Sequence, residues 1–182
     1  MGSINKNVTR VKLFSGFIFS DAALLEKAVA LLEKKFGKID LRSPLMDFDK
    51  TEYYTEEMGP DLKRCFVSFH KLIKPESIVA IKILTNSIEE RLSDSGTKRK
   101  INLDPGYLTA ANVALATTKD FQHRVYLRKG IYLENTLRFR SKQYMDWEWT
   151  FPDYRTEAYK AWFMELRKIY RAQLDSAQKA KK

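Results

Sequence analysis

The sequence predicts an α+β fold with a ferredoxin-like βαββαβ core, a C-terminal β-hairpin extension and a final packed helix. Two apolar strand-like runs are each followed by a segment with helical periodicity. Later, two more strand-like runs flank a short turn, and a third helical pattern follows. The chain has 182 residues, of which 44% are apolar. This is enough to bury one core without a disulfide or a metal.

The first unit begins with the apolar run 11–19, which predicts a strand buried on both faces for part of its length. Ser20 is expected to cap the following helix, over 21–36, and Gly37 to end it in a left-handed conformation. Residues 39–48 are expected to be extended, with a proline at an edge position or bulge.

The second unit begins with a strand from Lys63 to Leu72, followed by a helix over 75–92 with one apolar stripe. A short strand over 98–103 is predicted next. Asp-Pro-Gly at 104–106 is a typical turn sequence, and the Ala-rich residues 108–116 are expected to form one or two helical turns.

The hairpin is predicted to pair 123–127 with 131–140 around the turn Arg128-Lys129-Gly130. Strict alternation would place two sets of side chains on opposite faces of its second strand. The mainly apolar set is Ile131, Leu133, Asn135, Leu137 and Phe139, and the polar set is Tyr132, Glu134, Thr136, Arg138 and Arg140. The final helix is expected from about Asp153 or Thr156 to Leu174.

The predicted organisation is one α+β domain over 10–174, a disordered N-terminus over 1–9 and a basic flexible tail over 175–182. No run of 18 apolar residues is present, which argues against a membrane helix. The N-terminus has no apolar segment of the kind that directs secretion, so a cytoplasmic location is expected.

Net charge is the global feature with functional content. The chain carries a formal charge of +10, and residues 1–60 hold nine basic and nine acidic residues, so the whole excess follows residue 60. A basic surface favours anionic partners such as phosphorylated metabolites or RNA. The alternative is that the charge serves solubility, with a lysine-rich tail contributing to it.

Several enzyme classes lack their motifs here. The seven glycines form neither a dinucleotide-binding fingerprint nor a phosphate-binding loop. Cys65 is a lone cysteine, and His70 and His123 are the only histidines, which leaves no usual zinc site and no recognisable nucleophile triad. Carboxylates could hold magnesium beside a phosphorylated ligand, with Asp104 and Glu134 among the candidates. For Asp104, a plain turn role is the alternative.

A polar group of side chains would meet if the strand from 98 lies near the hairpin. Such a surface could hold a phosphorylated ligand, or it could be a solvated sheet face without a ligand. The candidate ligand-binding residues are Lys100, Asn102, Asp104, Tyr107, Lys119, His123, Arg124, Tyr132, Glu134 and Arg138. Lys98, Arg99, Tyr126 and Arg140 belong to the same polar group.

Trp147 and Trp149 precede the final helix. Exposed tryptophans beside basic residues could stack on the bases of single-stranded RNA. Two tryptophans at i and i+2 before a helix more often pack against a core.

Several strings of the sequence resemble one family, the bacterial domain of unknown function 4416. They are Ile101-Asn102-Leu103-Asp104-Pro105-Gly106-Tyr107-Leu108-Thr109, Ala116-Thr117-Thr118-Lys119, His123-Arg124-Val125-Tyr126-Leu127 and Trp147-Glu148-Trp149-Thr150-Phe151-Pro152-Asp153-Tyr154-Arg155. The resemblance extends over about residues 10–174. It implies a cytoplasmic prokaryotic protein with one compact domain and supplies no catalytic residues.

The leading hypothesis is therefore a protein that binds a small anionic ligand, phosphorylated or nucleotide-like, on a polar sheet face. Whether it catalyses a reaction stays open, as does a magnesium ion accompanying the ligand. The alternatives are an RNA-binding module that uses Trp147 and Trp149, and an assembly domain that binds no ligand.

Overall fold

Nine β-strands and four α-helices form within residues 2–4, 8–51, 53–93 and 99–179, the parts of the chain that the computed structural model describes. The strands are β1 (Lys12–Phe19), β2 (Ile39–Arg42), β3 (Met46–Asp47), β4 (Lys63–Phe69), β5 (Ile101–Leu108), β6 (Asn112–Thr117), β7 (Val125–Arg128), β8 (Ile131–Arg140) and β9 (Gln143–Asp146). The helices are α1 (Ala22–Phe36), α2 (Thr55–Met58), α3 (Ile78–Leu92) and α4 (Glu157–Lys179). None of these helices is long and apolar enough to cross a membrane.

The strands form one antiparallel sheet, which confirms the predicted α+β class. Its main order is β2–β4–β1–β5–β6–β8–β7, while β3 pairs with β4 and β9 pairs with β8. Strand β1 lies inside the sheet and every one of its residues is buried. That burial explains why its sequence is almost continuously apolar.

Two hydrophobic clusters cover the two faces of the sheet. In β4, Cys65, Val67 and Phe69 pack with α1 and α3, whereas Phe66 packs with α4. Because neighbouring side chains of a strand point to opposite faces, α1 and α3 lie on one face and α4 lies on the other. The sheet is therefore the middle layer of three.

The predicted β1–α1 unit is confirmed, with one change at the helix start. Asp21 rather than Ser20 is the N-cap, and its carboxylate accepts a hydrogen bond of 2.8 Å from the Ala23 N–H. Gly37 ends α1 with a φ of 89°, a value that favours glycine. The extended stretch after it is split into β2 and β3 around Pro44.

The predicted turn at 104–106 and the helical turns at 108–116 are wrong. Asp104, Pro105 and Gly106 lie inside β5, and residues 112–117 form β6. A Cβ on Gly106 would lie 2.4 Å from the carbonyl oxygen of Ala114 and 2.6 Å from the Phe14 ring. The glycine is therefore required by close packing inside the sheet rather than by a turn.

The predicted hairpin is confirmed as β7–β8, but the predicted division of β8 into two faces is wrong. Ile131 and Leu133 pack in the cluster under α1 and α3, whereas Leu137 and Phe139 pack in the cluster under α4. The register of β6 and β8 shifts between Val113 and Ala114. This bulge reverses the alternation along β8.

The C-terminal region also differs from the prediction. Strand β9 was not expected, and α4 runs to Lys179, five residues beyond the predicted end at Leu174. Trp162, Leu166 and Tyr170 of α4 are buried. The proposed division into a domain and two terminal segments stays a prediction, and residues 180–182 lie outside the described chain.

Candidate functional site

A gap in the sheet forms where β5 and β6 separate. In β5, only Gly106 to Leu108 pair with β6, although β5 itself begins at Ile101. Backbone groups of a strand alternate in direction, so Leu103 and Pro105 face the same side. Proline has no N–H to donate to a neighbouring strand. Pro105 therefore lies where the β5–β6 ladder ends.

Side chains of α3 replace the missing strand partner at Leu103. The Glu89 carboxylate accepts a hydrogen bond of 2.7 Å from the Leu103 N–H, and the Lys82 ammonium donates one of 3.0 Å to the Leu103 carbonyl. Both side chains come from the buried face of α3. The backbone of β5 stays hydrogen-bonded there while the sheet is open.

We call the resulting cavity the cleft. Its volume is about 530 Å³, within the range of small-ligand sites. It is bounded by α3, by the separated ends of β5 and β6, and by two loop segments, one that contributes Phe48, Thr51 and Tyr54 and the other at Phe151 to Tyr154. Its floor includes the buried residues Arg64, Asn102 and Tyr154 and the partly exposed Asp104, and its rim includes Tyr53, Lys119 and Phe151.

Arg64 is the central charge of the floor. Its guanidinium is buried and donates hydrogen bonds of 2.8 Å to Asp153 and 3.2 Å to Asp104. Burial alone would raise the pKa of Asp104, but the charges of Arg64 and Lys82 outweigh it and hold that pKa below its ordinary value. Asp104 is therefore an ionised acceptor inside the cleft.

Arg99 links α2 to α3 at one side of the cleft. Its guanidinium donates two hydrogen bonds of 2.7 Å to the Glu57 carboxylate and one of 3.1 Å to the side-chain oxygen Oδ1 of Asn102. The Glu57 pKa is lowered, mainly by the side-chain hydrogen bonding between Glu57 and Arg99. The Glu89 pKa is raised, because burial outweighs the attraction of Lys82 and the Leu103 N–H.

Glu134 anchors the opposite side and is 1% exposed. Its carboxylate accepts a hydrogen bond of 2.9 Å from Arg124 and lies 3.1 Å from the His123 ring. The Arg124 guanidinium also donates to the Lys119 carbonyl at 3.1 Å. Arg124 is thereby fixed next to the rim residue Lys119.

Three buried donors of the floor have no hydrogen-bond partner within the described residues. They are Nε of Arg64, Nδ2 of Asn102 and the hydroxyl of Tyr154, in residues that are 2%, 3% and 1% exposed. The Asn102 amide contributes to the low pKa of Asp104, although its nitrogen is not in hydrogen-bonding geometry with that carboxylate. Buried donors without partners are uncommon and costly. Here all three belong to residues that line the same cavity.

Half of the predicted ligand-binding residues come together. Asn102, Asp104, Lys119, Arg124 and Glu134 line the cleft. Among the wider polar group, Arg99 also lines it, whereas Lys98 lies outside the described residues.

The other predicted residues lie away from the cavity wall. Tyr107 packs against the cluster under α1 and α3, and Lys100 is exposed. Tyr132 contacts the exposed Tyr126 at a ring separation of 5.2 Å. His123 does not line the cleft and contacts Glu134, which does. The cleft thus lies at the opening in the sheet rather than along the exposed hairpin face.

The two tryptophans belong to a continuous stack. Trp149 lies between Trp147 and His123, with ring separations of 5.1 Å on each side, and the Arg138 guanidinium lies 4.1 Å from the Trp147 ring. The Trp149 N–H also donates to the Asn135 carbonyl at 3.0 Å. The facing surfaces of these rings are occupied within the protein.

Sequence reasoning missed Arg64, Lys82 and Glu89 as residues of the site. One signal was present, because Lys82, Thr85 and Glu89 follow helical spacing beside the apolar stripe of α3 and are all buried. A row of polar residues next to the apolar stripe of a helix indicates that polar groups pack against that side of the helix. No comparable spacing marks Arg64, which is a buried cation near the start of β4.

A metal site is not apparent in this geometry. Among the described residues, no group of three or more histidine, cysteine, aspartate or glutamate side chains is arranged to hold a metal ion. Asp104 is instead paired with Arg64, and Glu134 with Arg124.

The family model described as domain of unknown function (DUF4416) matches residues 9–170. No curated protein and no solved structure matches the chain.

Proposed function

We propose a function for this chain, which belongs to the DUF4416 family, from the geometry of the cleft: it binds a small anionic, phosphate-bearing ligand there. The observation that carries the proposal is that three residues lining one cavity, Arg64, Asn102 and Tyr154, each have a buried donor without a partner. Acceptor atoms of a ligand would satisfy them.

The anion is held near the rim. Lys119 contacts the hydroxyl and ring of Tyr53 and forms no ion pair within the described residues. The hydrogen bonds of Arg124 run from its Nε and Nη1. Its Nη2 and the Lys119 ammonium are suited to oxygen atoms of a phosphate.

The floor is less suited to the anion itself. Asp104 and Asp153 already bind Arg64, and Glu89 lies nearby on α3. A phosphate at that depth would meet several carboxylates at short range, which is unfavourable in a partly buried site. The charge distribution therefore supports an anion at the rim and the uncharged part of the ligand at the floor.

Isothermal titration calorimetry at fixed salt tests this proposal, with inorganic pyrophosphate, ribose 5-phosphate and nucleoside monophosphates as probes. Lys119→Ala should weaken the binding of every probe that binds, because it removes the rim cation. Lys168→Ala is the matched control, since it removes the same charge from an exposed site on α4. Absence of binding by all probes, or equal losses in both variants, would refute the proposal.

The variant Arg138→Ala tests whether the ligand binds in the cleft or on the exposed hairpin face. Arg138 covers Trp147 and does not line the cleft. Affinity should therefore be unchanged in this variant. A loss as large as that of Lys119→Ala would place the ligand on the hairpin face instead.

We also propose a ferredoxin-like core and a cytoplasmic location. The order β2–β4–β1–β5, with α1 and α3 on one face, supports the former. Cys65 is an unpaired buried thiol, which is compatible with a reducing compartment. RNA binding through the tryptophans receives no such support, because stacking within the protein already occupies their facing surfaces.

A further inference from the structure

We infer that the ligand of the cleft is a nucleoside monophosphate, with its base at the floor and its phosphate at the rim. This inference rests on the proposed function and adds a planar ring to the anion. It depends on the aromatic residues of the rim, on the donor and acceptor side by side at the floor, and on the size of the cavity.

Two exposed aromatic rings mark the rim, and each has a cation next to it. Tyr53 is 61% exposed and Phe151 is 41% exposed. The Lys119 ammonium lies 4.0 Å from the centre of the Tyr53 ring, and the Arg124 guanidinium lies 6.0 Å from that of Phe151. Aromatic and cationic groups together are the combination that contacts both parts of a nucleotide.

The floor offers a hydrogen-bond donor beside an acceptor. The donor is Nδ2 of Asn102, and the acceptor is the neighbouring ionised Asp104. Nucleobase edges present donors and acceptors next to one another, and Asn and Asp side chains are common partners for them. Inorganic phosphate at neutral pH presents mainly acceptors and would be repelled by Asp104.

The walls between floor and rim contain apolar surface. Phe48, Tyr54, Leu115 and Ala116 line the cleft together with the polar groups of the floor and the rim. A flat ring buries apolar faces there, whereas the hydroxyl groups of a sugar phosphate would lose hydration without enough partners.

The cavity has room for one nucleotide rather than for a strand. Its volume is about 530 Å³, and Tyr53 and Tyr54 close one side while α3 closes another. Single-strand binding proteins instead use grooves that accommodate several nucleotides. A free mononucleotide is therefore the ligand that this shape favours.

Calorimetry of the full chain with the four common ribonucleoside 5′-monophosphates, ribose 5-phosphate and a ten-nucleotide RNA tests the inference. At least one mononucleotide should bind ten-fold more tightly than ribose 5-phosphate. If ribose 5-phosphate binds as well as all four, the ring is not recognised and the inference fails while the proposed function stands. If the RNA binds more tightly than every mononucleotide, the inference also fails. If nothing binds, the proposed function itself fails.

Phe151→Leu tests the ring contact directly, because leucine retains apolar bulk and removes the aromatic face. The affinity for the bound mononucleotide should fall several-fold, and the affinity for ribose 5-phosphate should not change. Phe139→Leu is the matched control, since Phe139 also lies next to an arginine, Arg167 at 3.6 Å, but is remote from the cleft. Equal nucleotide affinity in both variants and the parent chain would overturn the proposed ring contact.

Discussion

Strand β5 is completed in different ways at its two ends. From Gly106 to Leu108 it pairs with β1 on one side and with β6 on the other. From Ile101 to Asp104 it pairs with β1 alone, and side chains of α3 bind the backbone of Leu103. We call these the closed end and the open end. The comparison shows how a sheet can contain a cleft without leaving its backbone unsatisfied.

The difference also explains why the open end is so highly charged. A backbone N–H that has lost its strand partner needs an acceptor, and a carbonyl needs a donor. Glu89 and Lys82 supply these atoms and bring a negative and a positive charge into the interior. Buried charges in turn require partners, which Arg99 and Asp104 help to provide. The cleft is polar because the sheet is open there.

The largest expected effect is the loss of Arg64 at the open end. Arg64→Met should lower the free energy of unfolding by about 3–5 kcal/mol, because the buried Asp153 and the partly buried Asp104 would lose their cation. Urea denaturation measures this change. The control is Arg42→Met, which breaks the exposed pair with Glu26 and should cost less than about 1 kcal/mol. Similar losses in the two variants would contradict a special role for the buried arginine.

The next largest effect is expected at the closed end, where close packing rather than charge determines the cost of a substitution. Gly106→Ala should lower the free energy of unfolding by about 1–3 kcal/mol, because overpacking forces the surrounding atoms to move. The new Cβ would lie 2.4 Å from the Ala114 carbonyl oxygen, which belongs to the paired strand β6. Urea denaturation would again report the change. A stability equal to that of the parent chain would mean that β5 and β6 are not held this closely.

A smaller, local effect is expected for Glu89→Ala. The Leu103 N–H would lose its acceptor, and a buried donor without a partner costs about 1–3 kcal/mol. Native-state hydrogen exchange should show faster exchange at Leu103, with little change at Leu108 of the closed end beyond the loss of global stability. Glu90→Ala removes the exposed neighbouring carboxylate and should leave both amides unchanged. Equal acceleration at Leu103 and Leu108 in Glu89→Ala would mean that the ends are not independent.

The sequence predicted the closed architecture better than the open end. Continuous apolar runs and helical periodicity identified β1, α1, β4, α3 and α4, because each of these elements buries a regular face. Asp104-Pro105-Gly106 was misinterpreted as a turn, since proline and glycine are also what a strand requires at the end of a ladder and at a close contact. Local sequence does not distinguish these two uses.

The same limit applies to the residues of the site. Asn102, Asp104, Lys119, Arg124 and Glu134 were found because they cluster near one another along the chain. Arg64 and Asp153 are 89 residues apart in sequence and meet only through the order of the strands. The bulge in β8 likewise depends on its register with β6, which alternation alone does not reveal.

The smallest expected effect distinguishes the carboxylates of the open end by their response to acid. The Asp104 pKa is lowered from an ordinary value of 3.8, so its stabilising effect is present above that pH and is lost as the pH falls through the lower folded value. The Glu89 pKa is raised from 4.5, so acidification from its raised value toward 4.5 should instead stabilise the folded chain. The only titratable side chain of the closed end, Gly106 to Leu108, is that of Tyr107. Burial raises its pKa above the ordinary value of 10.0.

Urea denaturation from pH 7 to pH 3 measures both contributions. Glu89→Gln should remove the stabilisation above pH 4.5, and Asp104→Asn should reduce the loss below pH 3.8, each relative to the parent chain. Tyr107→Phe is the control from the closed end and should leave the shape of the profile unchanged. If Asp104→Asn lost as much stability at low pH as the parent chain, Arg64 and Lys82 would not be stabilising the Asp104 carboxylate of the parent chain. The charges of the open end would then not be coupled through that residue.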